Sequence, residues 1–303
     1  MKINKSIEKN QISTTTEAGE KILLQPSFSE ASKPTSKVGA SSQMQLLNMA
    51  KQFSLEGGLL TAEKQMPIED RSLRRGRYNQ IRKQQNMEVI IKKALGYCSE
   101  NEIPDRADKD WFNSYIDLAE DISNKTMQDL WAKILAGEIS HPGSYSLKAL
   151  KVFRDMSIHD AKLLAKACAL AVKDHSRKNI RILSGAYQKP GLFNLFDKAR
   201  QLTINLSHFG LNYADLLTLA ENKLIFMQES ESNLIAKQEE LHFSYNGIPL
   251  NLVGKKANCI ISFYKFTPIG SELAHLISDK PDTEFLSVMQ QQLSHHFIVT
   301  SDN

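Results

Sequence analysis

The side chains best placed to do chemistry in this chain are basic, and they crowd into one stretch. Between Arg71 and Lys93 stand eight basic residues (Arg71, Arg74, Arg75, Arg77, Arg82, Lys83, Lys92 and Lys93) against a single acidic one, Glu88. Guanidinium and ammonium groups at that density can neutralise backbone phosphates and release their counterions, which drives binding to nucleic acid without regard to sequence. Arg71, Arg74, Arg75, Arg77, Arg82 and Lys83 are therefore candidate nucleic-acid contacts. Tyr78 is the only side chain among them able to stack on a base, so such a stretch would follow phosphate rather than read bases. Lys255 and Lys256, after Gly254, form a second basic spot between two strand-like runs. The plainer reading of the same charges is a solvated helix face.

Other groups carry less. Glu120 and Asp121 resemble a pair of catalytic carboxylates, but neighbours on a helix point about 100° apart and do not converge on one atom. His295 and His296 are adjacent, with no further His, Cys or carboxylate pair close by to complete a metal site. Cys98, Cys168 and Cys259 stand roughly 70 to 90 residues apart, too far for a CxxC-type zinc or redox pair. Sparse, odd-numbered cysteines suit a reducing compartment. No glycine-rich phosphate loop, GxSxG elbow or HExxH helix occurs. The expectation is a protein that is not an enzyme, with no metal and no cofactor.

The basic stretch sits on a long helix expected from Pro67. Pro67 suits a first turn, and Glu69 and Asp70 suit the positive end of the helix. The first half is almost wholly polar. In the second half Met87, Ile90, Ile91, Ala94 and Leu95 recur at helical spacing, so the expectation is a basic stem with an apolar foot. Further on, Trp111, Tyr115, Leu118 and Ile122 form one helical stripe. Met127, Leu130, Trp131, Ile134 and Leu135 form a second, in the run LWAKILAGE from Leu130 to Glu138. Leu130, Trp131, Ile134 and Leu135 should point into a core, with Lys133 and Glu138 on the opposite, wet face. Glu138 runs against the helix dipole, which calls for a basic partner such as Lys148 or for a bound group. Ser146 and the Ser157–Asp160 pair read as caps of two more helices, the second running through IHDAKLLAKACALAVKD. The short connections imply antiparallel neighbours and a compact helical bundle.

These residues carry a resemblance. Asp110-Trp111, LWAKILAGE, Pro142-Gly143-Ser144, Leu147 to Leu150, and Met156-Ser157 through Asp160-Ala161 resemble a bacterial domain family of unknown function. They are more loosely similar to the abortive-infection alpha (Abi-alpha) family linked to phage defence. Met156 stands where the pattern has Leu. The likeness covers about one fifth of the chain, from Trp111 to Leu164, and implies a place in defence or regulation without bringing catalytic residues.

After His175, IRILSGAYQKPG reads as a strand, and Leu192 to Leu206 as a helix. A helix from Asn212 ends near Asn222, whose side chain tolerates the left-handed conformation. Leu241, Phe243 and Tyr245 alternate before an Asn246-Gly247 hairpin turn. A strand from Cys259 runs into a helix at Thr267-Pro268, and TPIGSEL looks like the ending of a winged-helix domain, with Lys255 and Lys256 near a wing tip. A last amphipathic helix carries Phe285, Val288, Met289 and Leu293.

Composition agrees with a soluble globular chain. Of 303 residues, 41% are apolar and 24% charged, and the net charge is +4. No apolar run reaches the ~18 residues of a membrane helix, and the N-terminus lacks a signal-peptide core, so a cytoplasmic protein is expected. The expected fold is mainly α with a small antiparallel β-hairpin, a helical bundle followed by a winged-helix-like module. The divisions are a disordered arm over 1–64, the basic stem over 66–100, the bundle over 101–176 and the winged module over 177–303. Expected partners are DNA or RNA through phosphate, or a protein, including a second copy of the chain, and no membrane.

Overall fold

The computed structural model describes residues 41–98, 108–175, 179–189, 201–278 and 280–301. The expected arm up to residue 40, the polar break before Asp108, and residues 192–200 of the expected helix from Leu192 lie outside them. The chain divides into two compact units, Met1–Ala50 and Lys51–Asn303. In the first unit the described residues enter a helix, α1 (Ser42–Gln52), none of whose side chains is buried.

Within Lys51–Asn303 the long helix α2 spans Ile68–Leu95, with Pro67 at its N-cap and Glu69 and Asp70 in its first turn. Of the apolar residues expected to dock from its second half, Met87, Ile90 and Ala94 are buried, together with Asn86, while Ile91 and Leu95 stay exposed, at 40% and 69%, because the stripe that meets the core is narrower than the spacing suggested. No residue before Asn86 in this helix is buried. Helices α3 (Lys109–Ala119), α4 (Lys125–Ser140), α5 (Leu147–Asp155) and α6 (Ile158–Ala169) follow. Their starts are set by side-chain caps that relieve orphan amides, namely Asp108, Asn124, Ser146 and the reciprocal Ser157–Asp160 box. Consecutive helices are not the main neighbours. α2 packs chiefly on α4, and α3 on α5.

The fold class differs from the sequence expectation. The chain is a mixed α and β protein with an eight-stranded antiparallel sheet, not a helical bundle with a hairpin and a winged module. Its strands are β1 (Val172–Asp174), β2 (Ile180–Gln188), β3 (Gln201–Thr203), β4 (Ser230–Glu231), β5 (Glu240–Tyr245), β6 (Ile248–Gly254), β7 (Cys259–Lys265) and β8 (Phe297–Thr300). The order is β4-β7-β2-β1-β5-β6-β8, with β3 pairing β2 from off this path. Four of the eight have four residues or fewer, too short to show alternation.

Three corrections follow. The helix read through Asp174 stops at Ala169, and Val172–Asp174 crosses into the sheet between β2 and β5. The end of the expected Leu192–Leu206 helix is strand β3. The Asn246-Gly247 turn does close a hairpin, with both residues at positive φ, but β6 continues to β8 while β7 pairs with β2 and β4. Strands β6 and β7 are not neighbours, so Lys255 and Lys256 sit in a crossover between distant strands. That removes the winged-helix reading.

Helices α7 (Tyr213–Glu221), α8 (Pro268–Ala274) and α9 (Thr283–Leu293) complete the fold. Lys223, not Asn222, takes the left-handed conformation after α7. Helix α8 packs on α5 and α6, and its Glu272 accepts the amide of Ser146, the α5 cap, at 2.7 Å. A single apolar core runs from Met87 and Ile90 on α2 through Trp131 and Phe153 to Leu250, Phe285 and Phe297. Helices and sheet therefore bury one another, and the inner faces of α3–α6 do not close on themselves alone. No helix among the described residues is long and apolar enough to cross a membrane.

Candidate functional site on the basic stem

The helix register of α2 divides its basic residues into two groups. Arg82 and Lys83 are already paired. Arg82 donates to the Asp121 carboxylate at 2.7 Å and to its carbonyl oxygen at 3.3 Å. Lys83 donates to Glu120 at 2.5 Å and lies 3.6 Å from Asp121. Glu120 and Asp121 follow the last turn of α3, where the helix dipole presents partial negative charge and welcomes cations. The hydrogen bond from Arg82, with the charges of Lys83 and Arg82, holds the Asp121 carboxyl below the ordinary carboxylate range against its partial burial. The hydrogen bond to Glu120 raises the Lys83 ammonium above its ordinary value. Beside them, buried Asn86 donates to the Glu120 carbonyl at 2.8 Å, and buried Gln128 donates to Asn86 and to the Ile122 carbonyl. The carboxylates that resembled a catalytic pair are thus the clasp that holds α2 to the α3–α4 connection.

The distal half of the stem is different. Arg74, Arg75 and Arg77 are exposed, and none has an ion pair among the described residues. At 100° per residue, Arg74, Arg75 and Arg77 cover one broad side of the helix, with half-exposed Tyr78 between Arg74 and Arg75. Leu73, at 73% exposure, and Ile81, at 49%, flank Arg77 on the same side. Arg71 belongs elsewhere. Gly57 and Gly58, in a short 3-10 turn at Glu56–Leu59, press on its side chain so closely that a Cβ on Gly57 would meet Arg71 Cδ at 2.7 Å. Its Nε is buried.

The other sequence candidates are also accounted for. Lys255 donates to the carbonyl of Ser294, the C-cap of α9, at 2.5 Å. Lys256 is half-buried in the crossover after β6 and makes a contact of its own. Lys93 reaches Asp129 at 3.4 Å, and Asp129 also holds Lys133 at 3.5 Å and the Tyr97 hydroxyl at 2.8 Å. Burial pushes the Asp129 carboxyl up, but the hydrogen bonds from Tyr97 and Lys93 outweigh it and the net direction is down.

The motif helix α4 buries Trp131, Ile134 and Leu135, with Leu130 packed at the margin of the core. Glu138 is not on a wet face and does not meet Lys148. It is 3% exposed, and its carboxylate accepts the amides of Gly143 at 2.7 Å and Tyr145 at 3.0 Å. The Glu at the end of LWAKILAGE is therefore the acceptor that shapes the Pro142-Gly143-Ser144 turn. The Tyr145 carbonyl in turn accepts from Trp111 Nε1 at 2.7 Å. One polar chain joins the Trp start, the Glu and the turn of the motif. Nothing in helical periodicity signals it, because backbone amides carry no residue signature.

Among the described residues no group of three His, Cys, Asp or Glu side chains could hold a metal ion. The arrangement can hold an anion on the stem by charge. Neither a curated protein nor a solved structure matches the chain. A family described as "Protein of unknown function (DUF2806)" matches residues 70–290, from the first turn of α2 into α9, and the chain belongs to that family.

Proposed function

We propose that the protein is a non-enzymatic macromolecule-binding protein that contacts nucleic-acid phosphate with the distal half of α2. The observation that carries this reading is the division of charge along one helix. Arg82 and Lys83 are neutralised by Asp121 and Glu120, while Arg74, Arg75 and Arg77 stay exposed without an ion pair. Exposed like charges one turn apart repel one another, by a few tenths of a kcal/mol per pair. A polyanion removes that repulsion and gains counterion entropy as well. Contacts of this kind position a protein on a duplex without selecting sequence. The similarity of the motif to the abortive-infection alpha family supports placing such binding in defence or regulation. The test is retention of the full chain on duplex DNA and on duplex RNA across a salt series, with the three arginines intact or replaced by alanine. Salt-sensitive retention that depends on them is expected, and absence of binding at low salt would overturn the proposal.

A second reading has its own observation. Leu73 and Ile81 are exposed beside the arginines, and apolar and Arg side chains together are typical of protein interface centres. An acidic protein partner would then occupy the same strip. Leu73→Ser separates the two, since it weakens a protein complex and leaves phosphate binding unchanged.

A further inference from the structure

The face of α4 opposite its core stripe borders a cleft. Lys133, Ala136, Gly137 and Ser140 recur at helical spacing and form one wall of a cleft of about 400 Å³, within the size range of small-molecule sites. The facing wall is the end of α8, with His275, Leu276, Ile277 and Ser278. Tyr97, past the end of α2, and Tyr145, from the motif turn, close two further sides.

Tyr145 is the informative residue. It is 5% exposed, yet among the described residues its hydroxyl has no hydrogen-bond partner. Its ring edge lies against Gly137, where a Cβ would stand 3.0 Å from the ring, so glycine at this position keeps the phenol at the cleft wall. The amide of Tyr145 is bound by Glu138 and its carbonyl by Trp111, which fixes the ring in place. Burial, with Glu138 and Glu272 nearby, pushes the phenol up to about 12, so it stays protonated and can only gain by donating.

The lining holds one cation and no carboxylate, and the Asp129 behind it is shared by two lysines. Lys133 is the cation, held by Asp129 and lying 5.4 Å from the centre of the Tyr97 ring. No Asp or Glu lines the cleft; Asp129, behind Lys133 and Tyr97, is shared between Lys133 at 3.5 Å and Lys93 at 3.4 Å, and Glu138 and Glu272 are turned to the backbone amides of Tyr145 and Ser146. Burial and the Lys173 charge push the His275 imidazole below its ordinary value, against the pull of Glu272, so it adds a neutral ring. Leu276, Ile277 and Ala136 supply apolar surface beside these donors.

We propose that this cleft binds a small organic oxyanion, a carboxylate or a phosphate monoester with a compact apolar group, using Lys133 as the ionic partner and the Tyr145 hydroxyl, at the cleft wall, as the neutral donor. The site stands apart from the stem arginines. About 18 residues of helix separate Arg77 from Leu95, which at 1.5 Å per residue is about 27 Å.

The experiment is calorimetric titration of the full chain with benzoate and with phenyl phosphate, and with benzyl alcohol as the uncharged control. At least one anion should saturate a single site, and which of the two binds tells carboxylate from phosphate. Benzyl alcohol should not bind. Lys133→Ala and Tyr145→Phe should each weaken the anion by about tenfold or more. The second removes one oxygen and keeps the ring, and Lys133 is a partly exposed side chain, so both variants are expected to fold. The variant lacking Arg74, Arg75 and Arg77 should bind the anion as the parent does. Failure of both anions to bind at about 10 mM, binding by either cleft variant as tight as the parent's, or loss of binding in the stem variant would each overturn the proposal.

Discussion

Replacing Arg74, Arg75 and Arg77 together by alanine tests both the proposed surface and the charge bookkeeping behind it. All three are exposed and lack ion pairs among the described residues, so their removal breaks no salt bridge of the fold. If each neutralises one phosphate of a DNA duplex, the slope of log K against log salt falls in magnitude by about 0.9 per residue, or about 2.7 in all. Across a fourfold rise in salt, from about 50 to 200 mM, that slope corresponds to roughly a 40-fold loss of affinity that the parent shows and the variant does not. Fluorescence anisotropy with a labelled duplex of random sequence at four or five salt concentrations measures both slopes. The controls come from the same helix. Arg82→Ala and Lys83→Ala remove similar charges from the sequence, but their partners are Asp121 and Glu120. They should lower the thermal midpoint slightly and leave the slope nearly unchanged, and Lys255→Ala should do the same. Equal slopes in the parent and the triple variant, or an equal drop from the Arg82 and Lys83 variants, would refute the reasoning.

Further outcomes are expected from single positions. Glu138→Ala leaves two amides without their acceptor and should cost about 3 kcal/mol in urea unfolding, while Glu138→Gln, which keeps one carbonyl oxygen, should cost about half as much. Gly270→Ala places a Cβ 1.8 Å from the Leu224 carbonyl oxygen and should prevent α8 from docking, seen as loss of soluble protein or a fall of about 4 kcal/mol or more. Gly76→Ala, where a Cβ meets nothing within 4 Å, should instead stabilise α2 by about 0.5–1 kcal/mol. Because Asp121 is held below its ordinary range in the folded state, its ion pair contributes fully above that range and is lost as the pH falls through the folded value. Carboxyl-carbon NMR should show Asp121 titrating below a typical aspartate, and Arg82→Ala should move it back up. An unmoved titration would mean that the ion pair does not form in solution.

The helical part of the fold was largely legible because its signals are local. Ser146, Ser157 with Asp160, and Thr267 with Pro268 all cap the helices that their spacing announced, while the motif helix is capped by Asn124, one residue past the Ser123 that the sequence offers. The Trp111 and Trp131 stripes went to the core for the same reason. The sheet was not legible, and its geometry says why. β1 and β3 have three residues, β8 has four, and Val172–Asp174 continues an alanine-rich helical pattern without a break. Such strands are specified by the partners that cover them, so they show no period of their own. Gly270 illustrates the same point. In TPIGSEL it looked like a winged-helix signature, whereas its physical role is to let α8 approach the Leu224 carbonyl.

The candidate site was legible in charge and illegible in pairing. Counting basic residues between Arg71 and Lys93 treats all of them as equivalent. The fold spends Arg82, Lys83 and Lys93 on Asp121, Glu120 and Asp129, because the carboxylates at the end of α3 and the start of α4 fall within reach of the docked half of α2. The undocked half makes no ion pair among the described residues, so its arginines keep their charge on the surface. Docking is decided by Met87, Ile90 and Ala94, and free charge begins where that apolar stripe ends. The place where a helix stops burying itself is therefore a better guide to available charge than the number of basic residues it carries.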